Sequence, residues 1–289
     1  MKVSGFTFIR NTIKFDYPVV EAITSILPLC DEFVVCVGKS DDDTLKLVES
    51  IASDKIRIVH SIWDDSLRKG GQVLAVETNK AFDAVAADSD WAFYIQADEV
   101  VHEQYLPAIR QAMEQYKDDP RVEGLLFKYR HFYGSYNYTA TSRRWYRQEI
   151  RIIRNDKSIR SYRDAQGFRK NNRKLNVKLI DASIYHYGWV KPPKLQQAKN
   201  ESFHRMYHDD QWVEQNIPKV EEFDYSQIDG LSNFTGTHPQ VIIPRIKRMN
   251  WEYVNDPTRN KMKFRYRVLH WIEDLTGKRL FEYQNYKIV

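Results

Sequence analysis

Trp91-Ala92-Phe93-Tyr94-Ile95-Gln96-Ala97-Asp98-Glu99 is the stretch that decides the fold class. An aromatic and aliphatic run of this kind reads as a buried strand, and it ends abruptly in carboxylates. In an open α/β sheet, ligands bind outside the carboxyl ends of the strands. That rule puts Asp98 and Glu99 at a binding crevice. Adjacent carboxylates there suit a hard divalent cation, which takes oxygen ligands and bridges to substrate phosphates. The alternative is a solvated turn in which Asp98 or Glu99 caps a following helix.

Upstream of this run the chain alternates strand-like and helix-like segments. Strands are predicted at 3–9, 33–37 and 56–60. A helix opens at Asp16-Tyr17-Pro18 with Val19, Val20, Ile23, Ile26 and Leu27 as its apolar stripe. A second is capped by Asp41-Asp42-Asp43-Thr44, and a third runs from Gly70-Gly71 to about Ala86. Such alternation argues for βαβ units and a parallel sheet. Downstream, a helix is predicted at 104–116 and longer strands at 124–132, 148–153 and 179–186, as an antiparallel or mixed extension. From Pro192 the chain reads as mainly helical. Residues 261–275 place Phe264, Val268, Trp271, Ile272 and Leu275 on one helix face, beside Lys261, Lys263, Arg265 and Arg267. A basic amphipathic helix can lie on an anionic membrane, but packing on its own domain is the preferred expectation. The fold class is therefore α/β, with one domain over 1–190 and a helical extension over 191–289.

Hydrophobic residues make up 42% of the 289, enough for a sizeable core. Aromatics reach 13%, which suits sugar-stacking surfaces as well as packing. No apolar run is long enough to span a bilayer, and Met1-Lys2-Val3-Ser4-Gly5-Phe6 holds no signal-peptide core. The two cysteines, Cys30 and Cys36, have no metal-ligand spacing. A cytoplasmic location is expected, with peripheral contact at the inner membrane face as a further expectation. The net charge of +5 is uneven. Residues 143–174 hold twelve basic residues against Glu149, Asp156 and Asp164, a local +9 that leaves −4 for the remainder. Such a concentration favours an anionic partner.

The order of these pieces resembles the family 2 glycosyltransferases with a GT-A fold, over roughly residues 3–190. Four places carry it: Phe8-Ile9-Arg10-Asn11 with the helix around Val20-Glu21-Ala22-Ile23; Asp31 to Thr44 with its strand and Asp/Ser-rich turn; Gly70 to Asn79; and Gln96-Ala97-Asp98-Glu99, in the place of the family's metal-binding Asp-x-Asp. Ile150-Arg151-Ile152-Ile153-Arg154-Asn155 and Ile184-Tyr185-His186-Tyr187-Gly188 are similar to motifs of one bacterial branch. The chain departs from the pattern at Val37, where a base-contacting Asp is usual, and at Gln96, where the first metal-binding Asp is usual.

The resemblance implies an enzyme that moves a sugar from a nucleotide-diphosphate donor to a glycan or glycolipid acceptor, with inversion, as in cell-surface polysaccharide or lipopolysaccharide synthesis. It implies Mg2+ or Mn2+ held by Asp98 and His186. Donor contacts are expected from Arg10, Asn11, Gly38, Ser40, Asp41, Gly71, Asn79, Lys80 and Gln96. The general base is assigned to Asp164 or Glu99, with Glu149 as an alternative, since such a reaction needs one within reach of the acceptor hydroxyl. Arg143, Arg144 and Arg147 are expected on the acceptor side, meeting an anionic glycan or lipid-linked acceptor. His131 is a weaker candidate of the same type as His186. A competing reading is a non-catalytic sugar-nucleotide or glycan-binding protein on the same scaffold. Another is an RNA-binding protein using residues 143–174 with Trp145, Tyr146 and Phe168 as stacking rings. It leaves the strand-end carboxylates unexplained, and no nucleic-acid partner is expected.

Overall fold

A computed structural model describes residues 1–256, 262, 264–277 and 279–289. Four parallel strands form its heart: β1 (Val3–Ile9), β2 (Glu32–Gly38), β3 (Ile56–Ser61) and β4 (Trp91–Tyr94). Helices α1 (Val19–Ile26), α2 (Thr44–Glu49) and α3 (Gln72–Asp83) connect them. β2 and β3 lie to one side of β1, and β4 lies to the other. The strand order therefore reverses between β1 and β4, and a crevice opens outside their carboxyl ends.

The unbroken apolar runs have a simple cause. Phe33, Val35, Trp91 and Phe93 face one core cluster with α1; Val34, Cys36, Ala92 and Tyr94 face another with Ala81 and Phe82 of α3. A sheet covered on both faces needs apolar residues at every position, not every second one.

The alternative of a helix capped by Asp98 or Glu99 fails, while the helix expected at 104–116 forms as a 3-10 turn and α-helix over 103–116. Glu99-Val100-Val101 forms a short strand, β5 (Glu99–Val101), and α4 (Leu106–Tyr116) begins only after a single 3-10 turn. The β-branched pair pairs antiparallel with a much longer strand, setting Glu99 opposite His186. The extension is mixed, as expected: β6 (Gly124–Tyr133), β7 (Ser135–Ala140) and β8 (Gln148–Arg154) are antiparallel neighbours. Residues 159–174 add a separate antiparallel sheet of β9 (Ile159–Tyr162), β10 (Gly167–Lys170) and β11 (Arg173–Lys174). β12 (Asn176–Trp189) then returns parallel to β6.

The remaining chain carries α5 (Pro193–His204), α6 (Asp210–Asn216), β13 (Leu231–Asn233), α7 (Ile243–Lys247), α8 (Phe264–Thr276) and β14 (Lys287–Ile288). It does not stand apart from what precedes it, since β13 extends the sheet beside β7 and β14 pairs with β12. Helix α8 is tied to the rest of the chain, but not through its apolar stripe. Phe264, Val268, Trp271 and Leu275 face solvent, 78%, 39%, 64% and 65% exposed. The helix is held instead through Glu273, which takes ion pairs from Arg143 and Arg147. Lys261 and Lys263 lie outside the described residues. No helix among the described residues is long and apolar enough to cross a membrane.

Candidate active site

A cleft of about 710 Å³ lies where the switch point predicts it. Its floor is the strand ends Phe8–Thr12 and Gln96–Asp98, and its far wall is α5 with the residues that follow it. Most of the donor residues expected on β1 and β2 meet here, but they divide into two groups.

Asn11, Ser40 and Asp42 knit the two strand ends to each other. Asn11 adopts the left-handed conformation (φ 54°), which asparagine tolerates better than most residues. Its side-chain oxygen accepts from the Asp41 amide at 2.8 Å, and its own amide donates to Ser40 Oγ at 3.0 Å. Arg10 and Asp41 do line the cleft. So does Trp63, which the sequence reading passed over. Its indole packs on Phe8, with centroids 5.7 Å apart, and beneath the Arg10 guanidinium at 5.4 Å. It also lies on Gly38, where an added Cβ would come within 2.4 Å of Nε1. Gly38 thus serves the site by lacking a side chain. The buried indole N–H has no partner, an arrangement that is costly unless a ligand accepts from it.

Asp98 stands at the other end of the floor, 9% exposed. Lys199 Nζ on α5 donates to Asp98 Oδ2 at 3.3 Å and to the Gly188 carbonyl at 2.8 Å. His186 Nε2 lies 3.7 Å from the same carboxylate oxygen. Burial would raise the Asp98 pKa, but the neighbouring ammonium groups, Lys199 foremost, outweigh it and hold the carboxyl at about 2. Hydrogen bonds fix the imidazole tautomers. His131 Nε2 donates to the Tyr146 carbonyl at 2.7 Å, so its Nδ1 accepts from His186 Nδ1 at 3.2 Å. Burial lowers the pKa of both rings and keeps them neutral. His186 Nε2 is then an unprotonated acceptor turned toward Asp98.

This arrangement does not fit a protein-held Mg2+ or Mn2+. Mg2+ is usually held by one or two carboxylates together with substrate phosphates and waters, and the strand-end carboxylate here is already taken by the Lys199 ammonium. The Gln96 amide N–H groups are engaged by Tyr94 OH and the Ala165 carbonyl, both at 3.3 Å. Among the described residues no three His, Cys, Asp or Glu side chains converge to hold an ion.

The turn between β9 and β10 supplies the opposite lip. Arg163 and Ala165 are both left-handed (φ 55° and 61°), and Asp164 projects into the cleft between them. Strained backbone of this kind persists where the surroundings over-determine it, often at functional sites. Tyr207 OH donates to Asp164 Oδ2 at 3.2 Å, and Gly71 packs against both side chains.

Several expected site residues lie elsewhere. Glu99 is fully buried; Arg151 grips both its oxygens at 2.7 and 2.8 Å, and Tyr129 OH donates at 2.7 Å. A carboxylate satisfied this fully reaches no acceptor hydroxyl. Glu149 is buried off the cleft, and burial pushes its pKa up to about 8. Asn79 accepts from the Ser161 amide, and Lys80 pairs with Glu77; neither lines the cleft. Arg143 and Arg147 are tied to Glu273 and Glu282, and Arg144 is exposed outside the cleft. The acceptor-side expectation for these three came from net charge, and net charge does not reveal which cations already have partners.

No protein-family model matches the sequence, and neither does any curated protein. Among solved structures the chain is similar to S. aureus TarS 1–349, at 14% identity and TM-score 0.40 over 70% of this chain and 64% of that one. It is also similar to glucosyl-3-phosphoglycerate synthase from Mycobacterium tuberculosis in complex with Mn2+, uridine diphosphate and phosphoglyceric acid. That match has 20% identity and TM-score 0.31, over 45% of this chain and 43% of that one. The chain spans less than two thirds of either.

Proposed function

We propose that the chain transfers a sugar from a nucleotide-diphosphate donor to an acceptor hydroxyl. One observation carries this reading: a stacking wall (Phe8, Trp63, Arg10), an ammonium held at a strand end (Lys199 on Asp98) and a projecting carboxylate (Asp164) share one switch-point cleft. The three suit, in order, a nucleoside, a diphosphate and a reacting hydroxyl. The nucleoside lies over the ends of β1 and β2, beside Trp63 and Asp41. The diphosphate lies toward Asp98 and Lys199. Asp164 takes the acceptor proton as the acceptor oxygen bonds to the sugar carbon and the diphosphate leaves with its electron pair, inverting that carbon. No step in this reading passes through a divalent cation.

General-base removal lowers rates by about 10²–10⁴-fold. Asp164→Asn is therefore expected to cut turnover by at least about 100-fold while leaving donor binding intact. A panel of nucleotide sugars, scored by thermal stabilisation and then by donor hydrolysis, tests the whole reading, because a bound donor raises apparent stability by mass action. A panel in which none stabilises the protein overturns it. The second reading, a non-catalytic nucleotide-sugar-binding protein, draws support from the tied-up Gln96 amide and Asp98 carboxylate. It predicts stabilisation without hydrolysis or transfer.

A further inference from the structure

We propose that Lys199 is the resident cation of this site: its ammonium takes the place of a divalent metal against Asp98 and neutralises the departing diphosphate. The inference rests on the functional reading above and deepens it.

The ammonium is held as a metal would be, by fixed acceptors on a rigid frame. Two of its three N–H groups are used, toward Asp98 Oδ2 and the Gly188 carbonyl. The side chain lines the cleft at 14% exposure, which leaves the third N–H for a ligand. The Tyr17 ring lies 4.9 Å from Nζ and supports the charge through its π face. The stem leaves the middle of α5, so its position is set by a helix and not by a loop.

The surroundings are shaped for this contact. Gly188 lies so close to the carboxylate that an added Cβ would come within 2.5 Å of Asp98 Oδ2 and 2.8 Å of His186 Nε2. His186 presents a lone pair to the same place, and its tautomer is locked from behind by His131. Asp98 and His186 therefore form an acceptor cradle, and Lys199 is the cation lodged against it. Gln96 agrees with this account. A carboxylate at that position would complete a metal site; an amide turned toward Tyr94 and Ala165 does not.

In the transfer step the bond between the sugar carbon and the diphosphate oxygen breaks, and its electron pair stays on the diphosphate. Lys199 stabilises that charge as an ammonium and keeps its proton. The acceptor proton goes to Asp164. Nothing else is consumed, so atoms and charges balance without a metal.

Calorimetric titration of the full chain with UDP, GDP, CDP and dTDP, each in EDTA and again in Mn2+, tests the inference. At least one nucleotide is expected to bind, with a Kd that agrees within about twofold between the two conditions. The Mn2+ electron paramagnetic resonance spectrum with that nucleotide should match a protein-free control. Lys199→Met should weaken binding at least tenfold in EDTA. Mn2+ should restore part of it, because Asp98 and His186 are then open to the metal. Wild-type binding that drops tenfold or more in EDTA overturns the inference and leaves the functional reading standing. So does a Lys199→Met protein that binds as wild type in EDTA. If no nucleotide binds in either condition, the functional reading falls and takes the inference with it.

Discussion

Residues 143–174 and the cleft differ in how they use charge. The segment is the most basic part of the chain, and most of that charge already has a partner within the protein. Arg151 holds Glu99, Arg160 holds Asp83, and Lys170 and Arg173 share Glu123. Arg154 donates to the carbonyls of Tyr116 and Lys117 at the end of α4, where a cation also meets the negative pole of the helix. Lys157 and Arg169 likewise end on backbone carbonyls. The cleft has no such excess, yet its charges face an open volume. Lys199 keeps one donor unused, and Arg10, although paired with Asp65, lies over the Trp63 ring at the cleft wall. A run of basic residues in a sequence thus says little about binding until the partner of each is known.

The sharpest way to break this comparison is to strip the segment of its most buried charge. Arg151→Met leaves Glu99 ionised and unpaired in the core, and removing one member of a buried pair costs about 3–5 kcal/mol. Urea denaturation should show a loss of that size. A loss under about 1 kcal/mol would mean that the segment's charge is not structural. Replacing both partners, Arg151→Met with Glu99→Gln, should recover much of the loss.

A smaller effect separates the two regions by pH. Asp98 in the cleft and Glu123 beneath the basic segment are both held at about 2. For Glu123 burial pushes upward, and the hydrogen bonds from Arg173, Asn176 and Lys170 prevail. A carboxyl whose folded pKa lies below its unfolded value adds stability that is fully present above about pH 4 and lost as pH falls toward 2. For Asp98 the shift is worth about 2 kcal/mol at neutral pH. Asp98→Asn and Glu123→Gln should each flatten the acid limb of the stability curve between pH 4 and 2. Only Asp98→Asn should also change nucleotide affinity, because it removes the carboxylate that holds Lys199. Loss of binding in Glu123→Gln would place the basic segment in the site.

The smallest effect belongs to the exposed pair Arg160–Asp83. Surface ion pairs contribute about 0–1 kcal/mol. Arg160→Gln should shift stability by less than about 1 kcal/mol and leave donor and acceptor KM unchanged. A KM for acceptor that rises severalfold would restore a binding role for this face.

Much of the sheet was legible before any coordinates. Residues 91–99 announced a strand ending at a crevice, and the apolar runs of β2 and β4 announced burial on both faces. Short, charged strands were not legible. Ile159-Arg160-Ser161-Tyr162 alternates in and out of a small sheet, but its polar half reads as loop, and Glu99-Val100-Val101 is too short to show a period. In the site, Asp98 was readable because it follows a strand end, whereas His186 and Asp164 were reached largely through the family resemblance. Lys199 was not readable, because nothing in Gln197-Ala198-Lys199-Asn200 marks a lysine whose partner lies on another element. Trp63 left a fainter signal, an aromatic followed by Asp64 and Asp65 just past a strand. Exposure of the α8 face was hidden for a related reason. Periodicity shows that a helix has an apolar side, but not which side meets the protein.

The Asp98–Lys199 contact joins positions 101 residues apart, and that separation imposes an order of events. On a ribosome adding about 5–20 residues per second, Asp98 emerges roughly 5–20 s before the ammonium that balances it. In that interval β1, β2 and β4 can pair while the carboxylate at their edge stays hydrated, since an uncompensated charge resists burial. The crevice therefore closes last. A nascent chain cut off after β12 carries every strand end that floors the cleft and none of the charge that completes it.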